Sequence, residues 1–336
     1  MPKIAINGFG RIGRNVFKAG FSKAGFSVVA VNDLTDTKTL AHLLKHDSTY
    51  RDWNHDVSSD SDELIVDGKK IKVFAEKDPT KLPWGKLGVD IVLECTGRFT
   101  DLEGASQHLT AGAKRVIISA PAKGGGVPTH VLGVNGKGAG KKAKVINNAS
   151  CTTNCIAPVA QVLHDVFGVR KAMMTTIHSY TADQNLQDGP HKDLRRARAA
   201  AQNIVPTTTG AAIATTEVIP ELKGLFDGLS IRVPTPVVSL SDFTFVLKKR
   251  VTVEEVNAAL EKASKNPLWK GILEVTHEEL VSSDFIGSTA SCIVDLPMTK
   301  VVDGDLVKVV AWYDNEWGYS HRLAEIALEV GKMLKG

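Results

Sequence analysis

The stretch Ser150-Cys151-Thr152-Thr153-Asn154-Cys155 holds the side chain best suited to covalent chemistry in this chain. A β-type run through Lys144-Val145-Ile146-Asn147 precedes it, and apolar residues at Ile156, Val159, Ala160, Leu163, Val166 and Phe167 recur after it at helical spacing. Ser150 is therefore expected to cap a helix. Cys151 then falls in the first turn, where unpaired backbone N–H groups and the positive end of the helix dipole favour an anion. A thiol placed there ionises more readily and becomes a nucleophile. Pro158 removes one helical hydrogen bond and is expected to bend this helix rather than end it. One helix and one strand later, His178 closes the run Met173-Met174-Thr175-Thr176-Ile177 and offers the thiol a base or an ion-pair partner. Cys155, one turn on, reads as a packed neighbour, and Cys95 as core. Cys151 and Cys155 lack a second pair of ligands at metal-site spacing, so no metal is expected.

The elements that must position this chemistry begin with Lys3-Ile4-Ala5-Ile6-Asn7, a buried strand. Gly8-Phe9-Gly10-Arg11-Ile12-Gly13 follows and fits G-x-G-x-x-G. The hexapeptide is weak alone, but here a helical stretch and a second strand, Val28 to Asp33, come after it. Asp33 lies about 20 residues past Gly13, the distance expected of an acid that hydrogen-bonds an adenosine ribose. Gly8 would permit the tight turn, Gly10 the approach of a pyrophosphate, and Gly13 close helix–strand packing. Arg11 and Ile12 open the helix whose N-terminus faces the phosphates. Asp33 would repel a 2′-phosphate, which favours NAD over NADP.

The strand Asp90 to Gly97 should bring Thr96 and Gly97 to the carboxyl edge of the sheet, and Arg115 to Pro121 should bring Ser119 there as a cofactor contact. Leu64-Ile65-Val66 and Ile71 to Phe74 read as a hairpin, and His130 to Asn135 as a further strand. Strand and helix alternate through this half, which predicts an open, doubly wound, mostly parallel sheet.

After Phe167 the pattern changes. Long β-type segments run over Ala172–Tyr180, Leu229–Pro234, Val237–Lys248, Ser288–Asp295 and Leu306–Tyr313, with helices at Ala211–Val218 and Val253–Ser264. Fewer crossover helices imply a mainly antiparallel sheet in a second, α+β domain. The division expected is residues 1–150 for an α/β Rossmann domain, completed by a C-terminal helix within 316–336, and residues 151–315 for the catalytic domain. Between Tyr180 and Pro206 lies a long segment without periodicity, basic at His191 to Arg198, of the kind that is often functional.

Composition excludes several classes. Hydrophobic residues at 43% and charged residues at 23% suit a globular enzyme. The net charge of +4 suits a phosphorylated substrate without calling for nucleic acid, and no basic stripe with interleaved aromatics is present. Four scattered cysteines make no disulfide framework. Without an apolar run long enough for a bilayer or a signal-peptide core, a cytoplasmic location is expected.

Four segments together, Ala149 to Cys155, Asn7 to Gly13, Pro206-Thr207-Thr208-Thr209-Gly210-Ala211-Ala212 and Trp312-Tyr313-Asp314-Asn315-Glu316-Trp317-Gly318-Tyr319, closely resemble the phosphorylating glyceraldehyde-3-phosphate dehydrogenases, and His191 to Arg198 resembles their bacterial branch. The resemblance spans the chain. It implies NAD as cofactor, glyceraldehyde 3-phosphate and inorganic phosphate as substrates, and a homotetramer with the 181–206 loop at a subunit contact. It implies Cys151 as nucleophile and His178 as base. Thr181 and Arg232 match the site for the substrate's own phosphate. Ser150, Thr152, Arg196, Thr209 and Gly210 match the site for the attacking phosphate. Asn315 and Tyr319 match nicotinamide-side contacts, and Lys77 stands on the adenosine side where many relatives carry arginine. The competing readings are a relative that prefers erythrose 4-phosphate or NADP, an aldehyde dehydrogenase releasing free acid, and an RNA-binding protein. Asp33 and the paired phosphate residues weigh against them.

Overall fold

The glycine turn after the first strand organises one of two compact units in the computed structural model, which describes residues Met1–Leu334. This first unit comprises residues 1–130, 135–149 and the stretch from Ser320 onward. Lys335 and Gly336, the end of the expected 316–336 segment, lie outside the described residues.

In this unit β1 (Lys3–Asn7) leads into α1 (Arg11–Phe21) and β2 (Ser27–Asn32), followed by α2 (Thr37–Lys45), β3 (Val57–Ser59), β4 (Glu63–Val66) and β5 (Lys69–Phe74). Then come the short α3 (Trp84–Leu87), β6 (Ile91–Glu94), α4 (Leu102–Thr110), β7 (Arg115–Ile118) and β8 (Val145–Asn147). The sheet order is β3-β4-β5-β2-β1-β6-β7-β8. Every pair from β5 to β8 is parallel, and the β3-β4-β5 edge is antiparallel. Ile4, Ala5, Ile6, Ile91, Val92 and Leu93 are fully buried, as continuous apolar strands covered on both faces must be. The chain leaves β1 for β2 on one side and reaches β6 on the other, so the carboxyl end of β1 is the switch point where such sheets bind ligands.

The expected strand over His130–Asn135 is instead a turn. The Val134 N–H donates to the Val131 carbonyl, and Gly133 has φ +84° with the Trp269 ring so close that a Cβ would lie 2.7 Å from it. Only Thr129 makes an isolated bridge, to Asn147. The polar segment after Tyr50 contains the short edge strand β3.

The second unit comprises residues 131–134 and 150–319. It begins its main run with α5 (Cys151–Phe167), which continues through Pro158. There follow β9 (Val169–Ser179), β10 (Val205–Thr208), α6 (Ala211–Val218), β11 (Phe226–Val233), β12 (Ser239–Leu247), α7 (Val253–Ser264), β13 (Leu273–Thr276), β14 (Cys292–Asp295), β15 (Lys300–Val302) and β16 (Leu306–Tyr313). The sheet runs β10-β11-β9-β12-β16-β14-β13, with β15 also on β16. It is mainly antiparallel, and only the β9–β11 and β13–β14 pairs are parallel. Along β12 the residues Ser239, Ser241, Phe243, Phe245 and Leu247 are buried while those between are half-exposed, the alternation of a sheet with one covered face. The expected Ser288–Asp295 strand is confined to β14, because Gly287 at φ +83° and the Ser288 N–H to Phe285 carbonyl bond make a turn first.

Helix α8 (Trp317–Met333) ends the chain, and its residues from Ser320 belong to the first unit. There Leu323, Ile326, Ala327 and Val330 are buried, Gly331 meets Pro2, and Glu325 pairs with Lys23 at 3.2 Å. None of the described helices is long and apolar enough to cross a membrane.

Candidate active site

Cys151 is the first residue of α5. Ser150 caps the helix, its Oγ accepting the Thr153 N–H at 3.0 Å. The residue before the cap, Ala149, is held at φ +53°, a left-handed conformation that an L-residue other than glycine adopts at a cost. Its N–H is fixed by the Asn147 side chain at 2.9 Å.

His178 comes from the end of β9, and its Nε2 lies 3.5 Å from Cys151 Sγ. Its Nδ1 is 2.7 Å from the Ser179 carbonyl oxygen. A carbonyl only accepts, so Nδ1 carries the hydrogen and the bare Nε2 faces the thiol. Ser179 is itself held, its hydroxyl donating to the Val238 carbonyl at 2.7 Å and its N–H to Ser239 Oγ at 3.1 Å. Val238 sits at φ +70°, strained for a β-branched residue, three positions after Thr235, which meets the same hydroxyl.

The expectation that Cys151 ionises readily needs correction. With a neutral neighbour, burial pushes the thiol up to about 11, against the pull of the Thr152 hydroxyl and the Arg232 charge. Burial likewise pushes His178 down to about 3, and Arg232 adds to that. For either group alone, burial is the largest influence. A proton moved from Sγ to Nε2 makes two opposite charges 3.5 Å apart, and each favours the charged form of the other.

Thr152 Oγ1 is 2.9 Å from the Tyr313 hydroxyl, which is 2.8 Å from Thr176 Oγ1. Tyr313 also meets the His178 ring edge-on at 6.0 Å. Burial raises the phenol, so it remains a neutral donor and acceptor. The sequence shows Tyr313 only as part of a motif.

The anion-binding candidates gather beside this pair. Arg232 stands opposite His178 in the β9–β11 register. Its Nη1 donates to Thr181 Oγ1 at 2.8 Å and to Gln184 Oε1 at 3.5 Å. Arg196 donates through Nε to Thr207 Oγ1 at 3.0 Å and through Nη2 to the Thr208 carbonyl at 3.1 Å. Thr209 caps the turn into α6 by accepting the Ala211 N–H, and Gly210 leaves open space where a Cβ would stand. Asp183 and Gln184 are parts of this cluster that sequence reading missed, their signal being only that the 180–206 segment is long and unpatterned, and Thr207 was read only as part of the Pro206–Ala212 motif. Ser239 Oγ donates to Asn315 Oδ1 at 3.0 Å, which fixes one end of that amide, and Tyr319 is buried nearby in sequence at the start of α8.

In the first unit, a cavity of about 320 Å³ opens at the carboxyl end of β1, lined by Gly8, Gly10, Asp33, Lys77 and Thr96 among the expected residues. Gly8 has φ +90°, and a Cβ there would lie 2.7 Å from the Thr96 nitrogen. A Cβ on Gly13 would strike the Gly8 carbonyl oxygen at 2.1 Å. A Cβ on Gly10 would meet nothing within 4 Å, and α1 has no side-chain cap. Open space before uncapped N–H groups fits the pyrophosphate of a dinucleotide. Asp33 stands immediately after β2, with Oδ2 accepting the Phe9 N–H at 2.8 Å and Oδ1 the Thr35 N–H at 3.0 Å. Arg11 turns its guanidinium to Asp47 at 2.6 Å, and neither it nor the half-buried Ile12 lines the cavity.

Thr96 is pinned from below. Its N–H and hydroxyl both donate to Glu94 Oε1, while Glu94 Oε2 accepts from Asn7 at 2.6 Å and from His108 at 3.0 Å. Gly97 takes the φ +69° that lets the chain turn after Thr96. Ser119 ends up beside Cys95, outside the cavity lining, and Cys95 is pushed up to about 12 by burial. Arg98 and Phe99 line the cavity and were missed, although they directly follow Thr96-Gly97.

Comparison with known proteins agrees over nearly the whole chain. Residues 2–102 match the family model described as glyceraldehyde 3-phosphate dehydrogenase, NAD binding domain, and residues 150–315 match that of the C-terminal domain. Glyceraldehyde-3-phosphate dehydrogenase of Geobacillus stearothermophilus is 59% identical over 326 residues, with 97% of each chain covered. Glyceraldehyde-3-phosphate dehydrogenase 1 of Bacillus cereus is 55% identical over 97% of this chain and 98% of its own. The enzyme of the same name from Bacillus subtilis is 55% identical with 98% of each chain covered.

Proposed function

The chain belongs to the glyceraldehyde-3-phosphate dehydrogenase family, and from that premise we propose how its own residues carry the reaction. It is an NAD-dependent dehydrogenase of glycolysis acting on glyceraldehyde 3-phosphate. The observation that carries the assignment of roles is the 3.5 Å approach of Cys151 Sγ to an imidazole nitrogen left bare by its tautomer.

Cys151 gives its proton to His178 and attacks the aldehyde carbon, forming a hemithioacetal. The Cys151 N–H at the start of α5 and the imidazolium stabilise the oxyanion. NAD, when bound, supplies the hydride acceptor. His178 hands the thiol's proton to the oxyanion to complete the hemithioacetal hydroxyl and, neutral again, takes it back as the carbon is oxidised, which leaves a thioester on Cys151. A phosphate oxygen attacks the thioester carbon, the C–S bond breaks, and 1,3-bisphosphoglycerate departs while the thiolate is restored. The thioester keeps the oxidation energy that direct attack by water would lose.

We assign the substrate's phosphate to Thr181 and Arg232, and the attacking phosphate to Ser150, Thr152, Arg196, Thr209 and Gly210. Arginine forks and hydroxyl donors suit phosphate oxygens. Gly8, Gly10, Arg11, Ile12 and Gly13 are assigned to the pyrophosphate, Asp33 and Lys77 to the adenosine side, and Thr96, Gly97 and Ser119 to the sheet edge beneath the cofactor. Asn315 and Tyr319 are assigned to the nicotinamide. Cofactor binding is thus assigned to residues 1–150 with 316–336, and catalysis to 151–315.

A homotetramer is part of the same reading. On the outer face of the second sheet Met173 is 63% and Leu229 43% exposed, which suits sheet-to-sheet association between copies. A cytoplasmic location accords with four free thiols. Analytical ultracentrifugation tests the first. The reaction is tested by NADH formation from glyceraldehyde 3-phosphate and NAD, which should require phosphate or arsenate; phosphate-independent oxidation would overturn the reading. Parallel assays with erythrose 4-phosphate and with NADP separate the near relatives.

A further inference from the structure

A carboxylate already lies among the groups assigned to phosphate. Asp183 follows Thr181 in the loop leaving β9, and its two oxygens divide between the two sets of anion ligands. Oδ2 is 2.5 Å from Arg196 Nη1. Oδ1 accepts the Thr181 hydroxyl and lies 3.9 Å from Arg232 Nη1. One side chain therefore bridges the arginine assigned to the attacking phosphate and the pair assigned to the substrate's own. Asp193 approaches Arg196 from the other side, 3.7 Å from Nε, and its Oδ2 accepts the Thr207 hydroxyl at 2.5 Å.

The cluster still holds donors that Asp183 does not satisfy. Arg232 Nε and Gln184 Nε2 are buried without an acceptor, and Gln184 is only 8% exposed. A carboxylate brings two oxygens and one charge. A phosphate ester brings three free oxygens and up to two charges, enough to serve the remaining donors.

We propose that Asp183 is an internal stand-in for phosphate: it bridges Arg196 and Arg232 in the resting site and is displaced when a phosphate arrives. This rests on the assignment of the two phosphate sets above. Asp183 is tethered beside its partners, so an entering anion competes against a high effective concentration of carboxylate. A monoanion such as chloride loses that competition, whereas a multiply charged anion with several oxygens wins it. The carboxylate thereby acts as a specificity-determining residue, and it screens the two guanidinium groups from each other while the site awaits substrate. Its charge is secure: burial alone would raise its pKa, but the Thr181 hydroxyl and the charges of Arg232 and Arg196 hold it below the ordinary carboxylate range. Because it touches both arginines, a phosphate that displaces it at Arg232 also frees Arg196 for a second phosphate.

The test is Asp183→Asn in the full chain, with Asp183→Ser as a second variant that cannot mimic the carboxylate's shape. Calorimetric titration with inorganic phosphate should show binding about tenfold tighter in the variants, the loss of one charge-assisted competitor. Sodium chloride, at concentrations the wild type tolerates, should inhibit NADH formation by the variants. Weaker or unchanged phosphate binding in folded variants would overturn the proposal, since Asp183 would then be holding the arginines in place for phosphate or playing no part. A crystal of the wild type with phosphate on Arg196 or Arg232 and Asp183 still bridging both would overturn it without any variant. Phosphate-independent turnover by the wild type would instead defeat the underlying reading of the reaction.

Discussion

Arg232 and His178 occupy directly paired positions on the adjacent parallel strands β11 and β9. The guanidinium assigned to the substrate's phosphate and the imidazole assigned to the proton are thus set side by side by backbone register, without depending on any loop. Both side chains stand on one sheet, so a substrate held by Arg232 would present its carbon to the thiol beside His178.

Cys151→Ser should lower turnover by about a thousandfold or more, since a serine hydroxyl at this position has no means of forming the thioester. NAD affinity should stay close to that of the wild type, because the cavity assigned to the cofactor's adenosine and pyrophosphate is built from Gly8, Gly10, Asp33, Lys77 and Thr96. Steady-state kinetics with fluorescence titration of NAD measures both.

His178→Asn removes the counter-ion and leaves the burial penalty on the thiol. Burial raises the pKa of Cys151, so without the imidazolium its thiolate form is lost at neutral pH and regained only toward the alkaline limit of about 11. The rate of carboxamidomethylation against pH should move to higher pH in the variant, and turnover should fall by about a hundredfold to ten-thousandfold. A profile identical to the wild type would show that the pair is not coupled.

Two glycines of the first turn should separate folding from binding. Gly13→Ala places a methyl 2.1 Å from the Gly8 carbonyl oxygen and should destabilise the protein by about 3 kcal/mol, read as a lower denaturation midpoint. Gly10→Ala meets no atom within 4 Å and should leave that midpoint nearly unchanged, while NAD binding weakens about tenfold or more because the methyl takes the space assigned to pyrophosphate.

Asp33→Asn keeps an acceptor for the Phe9 N–H but removes the charge that repels a 2′-phosphate. The ratio of kcat/KM for NAD to that for NADP should fall by about tenfold, roughly 1.4 kcal/mol of lost discrimination. An unchanged ratio would move the discrimination to other residues.

Tyr313→Phe deletes the hydroxyl that joins Thr152 to Thr176. The two threonines lose a buried partner, which should cost about 1–3 kcal/mol in chemical denaturation. If Thr152 helps to hold phosphate, KM for phosphate should rise more than KM for NAD.

Sequence made the nucleophile legible because its signals are local: a cap residue, a helical period and a cysteine between them. The Rossmann half was legible for the same reason, through Gly8, Gly10, Gly13 and Asp33. The failures have a common cause. At His130–Asn135 the β-type residues were overridden by a turn at Gly133 packed on Trp269, a contact across 136 positions of chain. Asp183 and Gln184 gave no period to read, since the 180–206 segment is organised by ion pairs and side-chain bonds. The helix-start argument for Cys151 predicted easy ionisation because burial, which opposes it, has no trace in the linear order of residues.

Ala149, fully buried two residues before the nucleophile, keeps its left-handed backbone with a methyl group that glycine would lack. Exchange for glycine would release about 1 kcal/mol of local strain while loosening the unfolded chain and the joint itself. Libraries screened only for heat tolerance therefore put this position at risk of drift, because the strain released and the freedom gained by the unfolded chain offset each other in a melting curve. A screen that measures thiol alkylation alongside melting would keep the two properties apart.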